Sequence, residues 1–290
     1  MRFFIFICLG LFSLTASASS FAGYPESRLH SYFHYDGPRL PDEFLGSDSA
    51  PRIGLYAGGG TWDTGEESLK KYFTAHSISY RTFQASDLLG GALDSSGVQL
   101  LVMPGGESWT YLSDLGANGA KAVLDFVNKG GGYIGICAGA FYATSNREGG
   151  PVTGPYGIGL LDGTAYDGTS LGTKPFIEGM MTWTIVTGDP LMADLNAQYN
   201  MYLLGGPAFH YSDTEAQAKG IQVLGRFPEI NDPAMIVFNY GQGRVFLSAP
   251  HLEVEEDPIS TKVAASSGID PTWPILDRVA HYVLKDTDRP

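Results

Sequence analysis

A cysteine stands in Tyr133-Ile134-Gly135-Ile136-Cys137-Ala138-Gly139-Ala140, a setting suited to a nucleophile. The apolar residues before it read as a buried strand. Gly135, Ala138 and Gly139 are small enough to let strand and helix backbones close on a sharp turn that presents the thiol. A helix N-terminus directly after Cys137 favours the thiolate. The plainer reading is a small apolar cysteine packed in a core.

Attack on a carbonyl needs a base and a group to orient that base. Ser248-Ala249-Pro250-His251-Leu252-Glu253 offers both, because His251 and Glu253 stand two apart and share a face in extended chain. A third piece is Met103-Pro104-Gly105-Gly106-Glu107 at the end of another apolar run. The glycines let main-chain N–H groups turn toward a bound carbonyl, so Gly105 and Gly106 join the N–H of Ala138 as a candidate oxyanion hole.

The other histidines are weaker candidates. His210 follows Gly205-Gly206-Pro207-Ala208-Phe209 and is the second-choice base, with Gly206 beside it as a pocket position. His76 and His281 fall on amphipathic helices, where solvated or packed histidines are ordinary. His30 and His34 stand four apart, but Pro25, Gly37, Pro38 and Pro41 crowd any helix that would pair them on a metal. The run Glu253-Val254-Glu255-Glu256-Asp257 lacks the spacing of a calcium loop and reads as solvated charge. No metal and no cofactor are expected.

These pieces need elements to bring them together. From Arg52 onward, short apolar runs alternate with amphipathic stretches, the pattern of a parallel sheet flanked by helices. Strands are predicted at 52–57, 79–83, 99–103 and 133–136, with helices at 66–76 and 117–128. The fourth strand runs into Cys137. Beyond Gly154 the texture is richer in β-structure, with strands at 183–187, 200–204, 221–227, 234–240 and 244–248, and a hairpin turn at Gly241-Gln242-Gly243. A last helix at 273–284 presents Ile275, Leu276, Val279 and Val283 to the sheet. Loops at 60–66, 107–116, 145–180 and 205–220 are expected to wall the pocket, with Trp62, Trp109, Tyr111, Tyr142, Tyr156 and Phe209 near strand ends.

The chain has 290 residues, a net charge of -13 and two cysteines. The acidic balance and the lack of clustered Lys and Arg exclude a polyanion-binding surface, so nucleic acid is not an expected partner. Residues 1–22 read as a secretory signal, with a basic start, an apolar run too short to span a bilayer and small residues at Ala18 and Ala22 for cleavage. Cys8 leaves with it. A periplasmic or secreted location follows, with no membrane span after cleavage, and the lone Cys137 excludes a disulfide scaffold. Residues 23–51 form an extended N-terminal arm, and 52–290 one domain.

The three motifs together resemble the class I glutamine amidotransferase-like superfamily. The closest likeness is to the branch of the biotin-protein ligase N-terminal domain, which shares the elbow, a Gly-Gly-Pro segment like Gly205-Gly206-Pro207, and the final Pro-His-x-Glu stretch. The likeness covers roughly residues 52–285. It implies a flavodoxin-like three-layer α/β sandwich with a mostly parallel central sheet and a β-rich C-terminal half. It also implies a Cys-His-Glu triad of Cys137, His251 and Glu253. The chain departs from the family's amidotransferases at Leu252, where they usually carry Pro, and after the nucleophile, where they usually have Leu and Gly and this chain has Ala138-Gly139. The resemblance does not imply ligase activity or channelled ammonia, and Gly241-Gln242-Gly243-Arg244 reads as a turn and not as the ligase's Gly-rich loop.

The function read from these features is an exported cysteine hydrolase or amidase acting on an amide or γ-glutamyl-type bond of a small molecule or peptide. The alternative is a non-catalytic ligand-binding or surface protein that keeps the scaffold. An intracellular-protease-like activity is disfavoured, because that related family commonly places His where Ala138 stands.

Overall fold

A computed structural model of the chain describes residues 37–46, 50–149, 154–167, 178–228, 230–255 and 268–286. Its elements run Glu43–Phe44 (β1), Ile53–Tyr56 (β2), Asp63–Ala75 (α1), Tyr80–Phe83 (β3), Ala85–Leu89 (α2), Ala92–Ser95 (α3), Leu100–Met103 (β4), Ser108–Asn128 (α4), Gly132–Ile136 (β5) and Ala138–Ala143 (α5). They continue with Thr144–Glu148 (β6), Gly154–Pro155 (β7), Leu161–Tyr166 (β8), Glu178–Ile185 (β9), Gln198–Leu204 (β10), Ala208–Tyr211 (β11), Asp213–Lys219 (α6), Gln222–Arg226 (β12), Pro233–Tyr240 (β13), Gly243–Ser248 (β14) and Trp273–Leu284 (α7).

β2, β4 and β5 are buried at every position, the mark of strands covered on both faces. Their side chains alternate between two cores. Ile53, Leu55, Leu100, Val102, Ile134 and Ile136 pack with Leu69 and Tyr72 of α1 and with Ile275, Leu276, Val279 and Val283 of α7. Tyr56, Leu101, Met103 and Tyr133 pack with Tyr111, Leu115, Val123 and Val127 of α4 and with α5. Helices therefore cover both faces of one sheet, giving a three-layer α/β sandwich.

The large sheet runs β1, β3, β2, β4, β5, β14, β13, β12, β9, β10 in space. The block from β3 to β14 is parallel, and the remainder from β13 to β10 is antiparallel. The turn at Gly241-Gln242 joins β13 to β14 with Tyr240 opposite Gly243, and Gly241 takes φ 56°. β4, β5 and β14 are adjacent and parallel, so the segments carrying Gly105, Cys137 and His251 all leave the same edge of the sheet. The outer rim of β10 is engaged as well: Asp270 exchanges hydrogen bonds with the backbone of Asn200, and the N–H of His251 donates to Tyr202 O.

Some expected loops are ordered elements. The stretch 107–116 is mostly the first half of α4, which Gly116 interrupts at φ 52°, ψ -161° and so hides the helix from periodicity. The span 145–180 supplies β6, β7, β8 and the start of β9, and 205–220 supplies β11 and α6. β6 to β8 and β11 form a separate four-stranded sheet, ordered β11, β8, β6, β7. Their residues are polar and partly buried, as in Thr144–Glu148 and Leu161–Tyr166, so no apolar run announces them.

The described part of the arm, 37–46, contains the short strand β1, which pairs antiparallel with β3. Arg39 bonds Asp63 at 2.6 Å, the Leu40 N–H donates to Glu67, and the buried Lys70 reaches Asp42, Glu66 and Glu67. Burial raises the Glu66 carboxyl above its ordinary pKa despite Lys70 beside it. The expected signal at 1–22, with Cys8, and the residues His30 and His34 lie outside the described residues. Among the described residues, no helix is long and apolar enough to cross a membrane.

The acidic run after β14 is not all solvated charge. Glu253 is buried, and the Glu255 carboxylate accepts from Thr272 N at 3.0 Å and Trp273 N at 2.8 Å, capping α7 from a distant point in the chain. A carboxylate on the first N–H groups of a helix satisfies orphan donors and opposes the positive end of the dipole. Glu255→Ala is expected to destabilise the fold by about 1 kcal/mol, read as a lower urea midpoint at unchanged m-value.

Candidate active site

Cys137 sits at φ 51°, ψ -104°, between the last residue of β5 and the first of α5. A non-glycine residue held there stores about 1–3 kcal/mol of strain. The surroundings hold it: Cys137 N–H donates to Ser248 O at 2.8 Å, Gly139 N–H to Pro104 O at 3.1 Å, and Ala140 and Phe141 N–H to Cys137 O at 3.0 Å. The neighbouring glycines are obligatory. A methyl on Gly139 would overlap the Met103 carbonyl, and one on Gly135 would stand 2.6 Å from Gly139 O.

β14 ends at Ser248, and the next residues turn the histidine back across the strand ends. His251 is fully buried, at 0% exposure, with its backbone on Tyr202 and its Nδ1–H donating to Glu253 Oε1 at 2.7 Å. The Trp62 ring meets the imidazole edge to face at 4.7 Å between centroids, and Tyr202 stacks on Trp62 at 6.0 Å. Leu252, the departure from Pro, is buried, and its carbonyl accepts from Thr272 Oγ1 at 2.7 Å. The Glu253 carbonyl accepts from Trp273 Nε1 at 3.1 Å, so α7 holds this segment in place.

Gly105 is where the pieces meet. A Cβ there would lie 3.4 Å from Cys137 Cβ and would collide with His251 Cε1, so only glycine allows the thiol and imidazole to flank this loop. Gly106 takes φ 141°, a glycine conformation. The N–H groups of Gly105, Gly106 and Ala138 have no acceptor among the described residues. The thiol donates to Leu204 O at 3.2 Å, while His251 Nε2 and Glu253 Oε2 are buried without hydrogen-bond partners.

The electrostatics follow from this enclosure. Burial opposes the imidazolium, but the Glu253 carboxylate and the neighbouring Cys137 outweigh it, and the His251 pKa rises from 6.5 to about 10.

Sequence reasoning placed Cys137, His251, Glu253, Gly105, Gly106 and Ala138 together, and the structure brings them to one place. Gly206 has another part: a side chain there would overlap the Ala249 carbonyl, so it lets the loop after β10 pack against the segment leading to His251. His210 lies on β11 in the separate sheet, exposed, with Nε2 2.8 Å from Asp232 Oδ2 and its ring 4.1 Å from that of Tyr166. None of its contacts is with the thiol site. Sequence reasoning missed the Leu204 carbonyl and Tyr202, and it saw Trp62 only as an aromatic near a strand end. No group of three or more His, Cys, Asp and Glu side chains suited to a metal occurs among the described residues.

The family described as "Biotin-protein ligase, N terminal" matches residues 68–278. The chain is 27% identical over 205 residues to the biotin–protein ligase of Schizosaccharomyces pombe, a match covering 66% of this chain and 31% of the ligase. It is 26% identical over 161 residues to an uncharacterized protein of Chlamydia muridarum, covering 53% of this chain and 60% of that protein. The chain thus spans less than two thirds of either relative. Among solved structures, a glutamine amidotransferase superposes with a TM-score of 0.55 at 19% identity, covering 81% of this chain and 99% of that one. That likeness shows the fold.

The raised pKa makes a signed prediction. A histidine raised in the folded state contributes stability that is full below pH 6.5 and is lost as pH rises through about 10. In Glu253→Gln, burial is left without its strongest opponent, so the His251 ring resonances, followed by NMR, are expected to titrate well below their position in the parent protein.

Proposed function

The chain belongs to the biotin-protein ligase N-terminal family, and from that premise we propose an exported cysteine hydrolase acting on an amide, of γ-glutamyl or similar side-chain type. Cys137 is the nucleophile, His251 carries the proton, and Glu253 orients the ring. The observation that carries this reading is the imidazole, at 0% exposure, with Nδ1 tied to Glu253 and Nε2 unpartnered beside a strained thiol. A buried polar atom without a partner costs about 1–3 kcal/mol. Such an atom needs an explanation, and a reaction that supplies the missing partner is one.

The steps follow the geometry. With the imidazole already protonated at neutral pH, the reacting state is a thiolate–imidazolium pair: the thiol proton rests on His251 Nε2, and the sulfur, turned from Leu204 O, bonds to the carbonyl carbon. The carbonyl π electrons move onto oxygen, and that oxyanion accepts from the N–H of Ala138 and from Gly105 or Gly106. His251 Nε2–H protonates the amine nitrogen as the C–N bond breaks, leaving a thioester on Cys137. Water then gives a proton to Nε2 and attacks the thioester. The C–S bond breaks, and the thiolate leaves beside the protonated His251, which restores the starting pair.

The amidotransferase-like scaffold and the free N–H groups support this reading, and the leader-like residues 1–22 support export. The ligase activity of the yeast relative is not carried over, since the shared stretch is 31% of that protein.

An amide-substrate screen tests the proposal. Cys137→Ser and His251→Ala are each expected to lower turnover by about 10²–10⁴-fold, with a smaller loss in Glu253→Gln. Iodoacetamide alkylation of Cys137 at neutral pH is expected to slow about tenfold in His251→Ala. No Cys137-dependent turnover, together with alkylation indifferent to His251, would overturn the enzyme and favour a ligand-binding protein. Mass spectrometry of the exported chain is expected to find an N-terminus after Ala18 or Ala22, and an intact Met1 on exported protein would refute cleavage.

A further inference from the structure

We infer that Tyr111 is a positioning residue of the oxyanion site, its hydroxyl holding two successive peptide planes so that the Gly105 and Gly106 N–H groups stay turned toward a bound oxyanion. The inference rests on the reading of Cys137 as nucleophile and deepens it.

Tyr111 lies on the first half of α4, fully buried beneath the loop between β4 and that helix. Its single hydroxyl proton is shared between Pro104 O at 3.2 Å and Gly105 O at 3.1 Å. Each carbonyl has a second donor, Gly139 N–H at 3.1 Å for Pro104 and Trp62 N–H at 2.8 Å for Gly105. In a trans peptide the carbonyl and the following N–H lie in one rigid plane and point in opposite directions within it. Fixing Pro104 O therefore aims the Gly105 N–H, and fixing Gly105 O aims the Gly106 N–H. These two N–H groups lack an acceptor, while Gly105 lies against Cys137 Cβ and the His251 ring.

One side chain thus sets both planes, which backbone donors hold from different directions: α5 through Gly139, and the start of α1 through Trp62. Aromatic neighbours fix the ring, with Tyr56 edge-on at 5.1 Å and Tyr142 at 6.2 Å. Burial holds the phenol well above its ordinary pKa, so the hydroxyl remains a donor across the working range. Oxyanion stabilisation depends on donors aimed in advance, because a donor that must reorient during the reaction gives back part of its gain. A tyrosine packed only to fill the core would need no such pair of hydrogen bonds.

The test separates a reaction that forms an oxyanion from one that does not. Straight-chain aldehydes from propanal to hexanal form a hemithioacetal with a thiol, placing an oxygen where the oxyanion would sit, whereas iodoacetamide alkylates by direct displacement. Tyr111→Phe keeps the ring, and both carbonyls keep their backbone donors, so the fold is retained. The expected result is about a tenfold weaker protection of Cys137 by aldehyde, an iodoacetamide rate within about twofold of the parent, and faster hydrogen exchange in a peptide covering 104–107. Equal effects on aldehyde and iodoacetamide, or no effect on aldehyde and exchange, would overturn the inference. If the unmodified protein forms no aldehyde adduct, the nucleophile reading falls instead, and unchanged exchange at 104–107 then removes the role of Tyr111 on its own.

Discussion

The turn at Cys137 closes only because Gly139 lets the backbone after the thiol lie directly on the carbonyl of Met103. That contact ties the ends of three neighbouring strands. It brings Gly139 N–H to Pro104 O, which anchors the loop after β4, and it lets Cys137 N–H reach Ser248 O, which fixes the end of β14. The segment leaving Ser248 then has a short path back to Tyr202, and His251 stands on that path. A positive φ at a non-glycine residue is costly by itself. It persists here because the two flanking strands, and not the turn's own residues, hold the backbone in that conformation.

A second constraint is electrostatic. Enclosing a histidine and a glutamate together leaves each dependent on the other, and the raised His251 pKa expresses that dependence. Trp62, at the start of α1, packs against the imidazole, and the described part of the N-terminal arm pins α1 through Arg39, Asp42 and Lys70. The imidazole is therefore held by a chain of contacts that begins well outside the motifs. The family gives the scaffold its name, and the local arrangement of these groups supplies the chemical argument.

Much of this was legible in the sequence because buried parallel strands are written as apolar runs, and because the residues at the strand ends are chemically distinctive. Cys137, His251 and Glu253 stand in short motifs whose composition reflects their backbone needs. The second sheet was not legible, since Thr144–Glu148 and Leu161–Tyr166 are half-buried and polar and mimic loop composition. The start of α4 was hidden by Gly116. Leu204 enters the site through a carbonyl, a group every residue has, so its identity gives no signal. Glu255 caps a helix 18 residues further along the chain, a pairing that no local pattern encodes. His210 misled because proximity to a Gly-Gly-Pro segment was read as proximity to the thiol, when β11 turns into a different sheet.

β10 is the last strand of the large sheet, and its free side would offer unpaired backbone groups to any extended chain that met it. Asp270 occupies those of Asn200, and the N–H of His251 takes the carbonyl of Tyr202. An open strand edge is a template on which further copies can add and aggregate. The segment that delivers the imidazole thus also blocks lateral growth, so a distortion that pulled His251 out of the site would at the same time unmask an adhesive border. The geometry of the site and the protection of the sheet edge then rest on the same few residues.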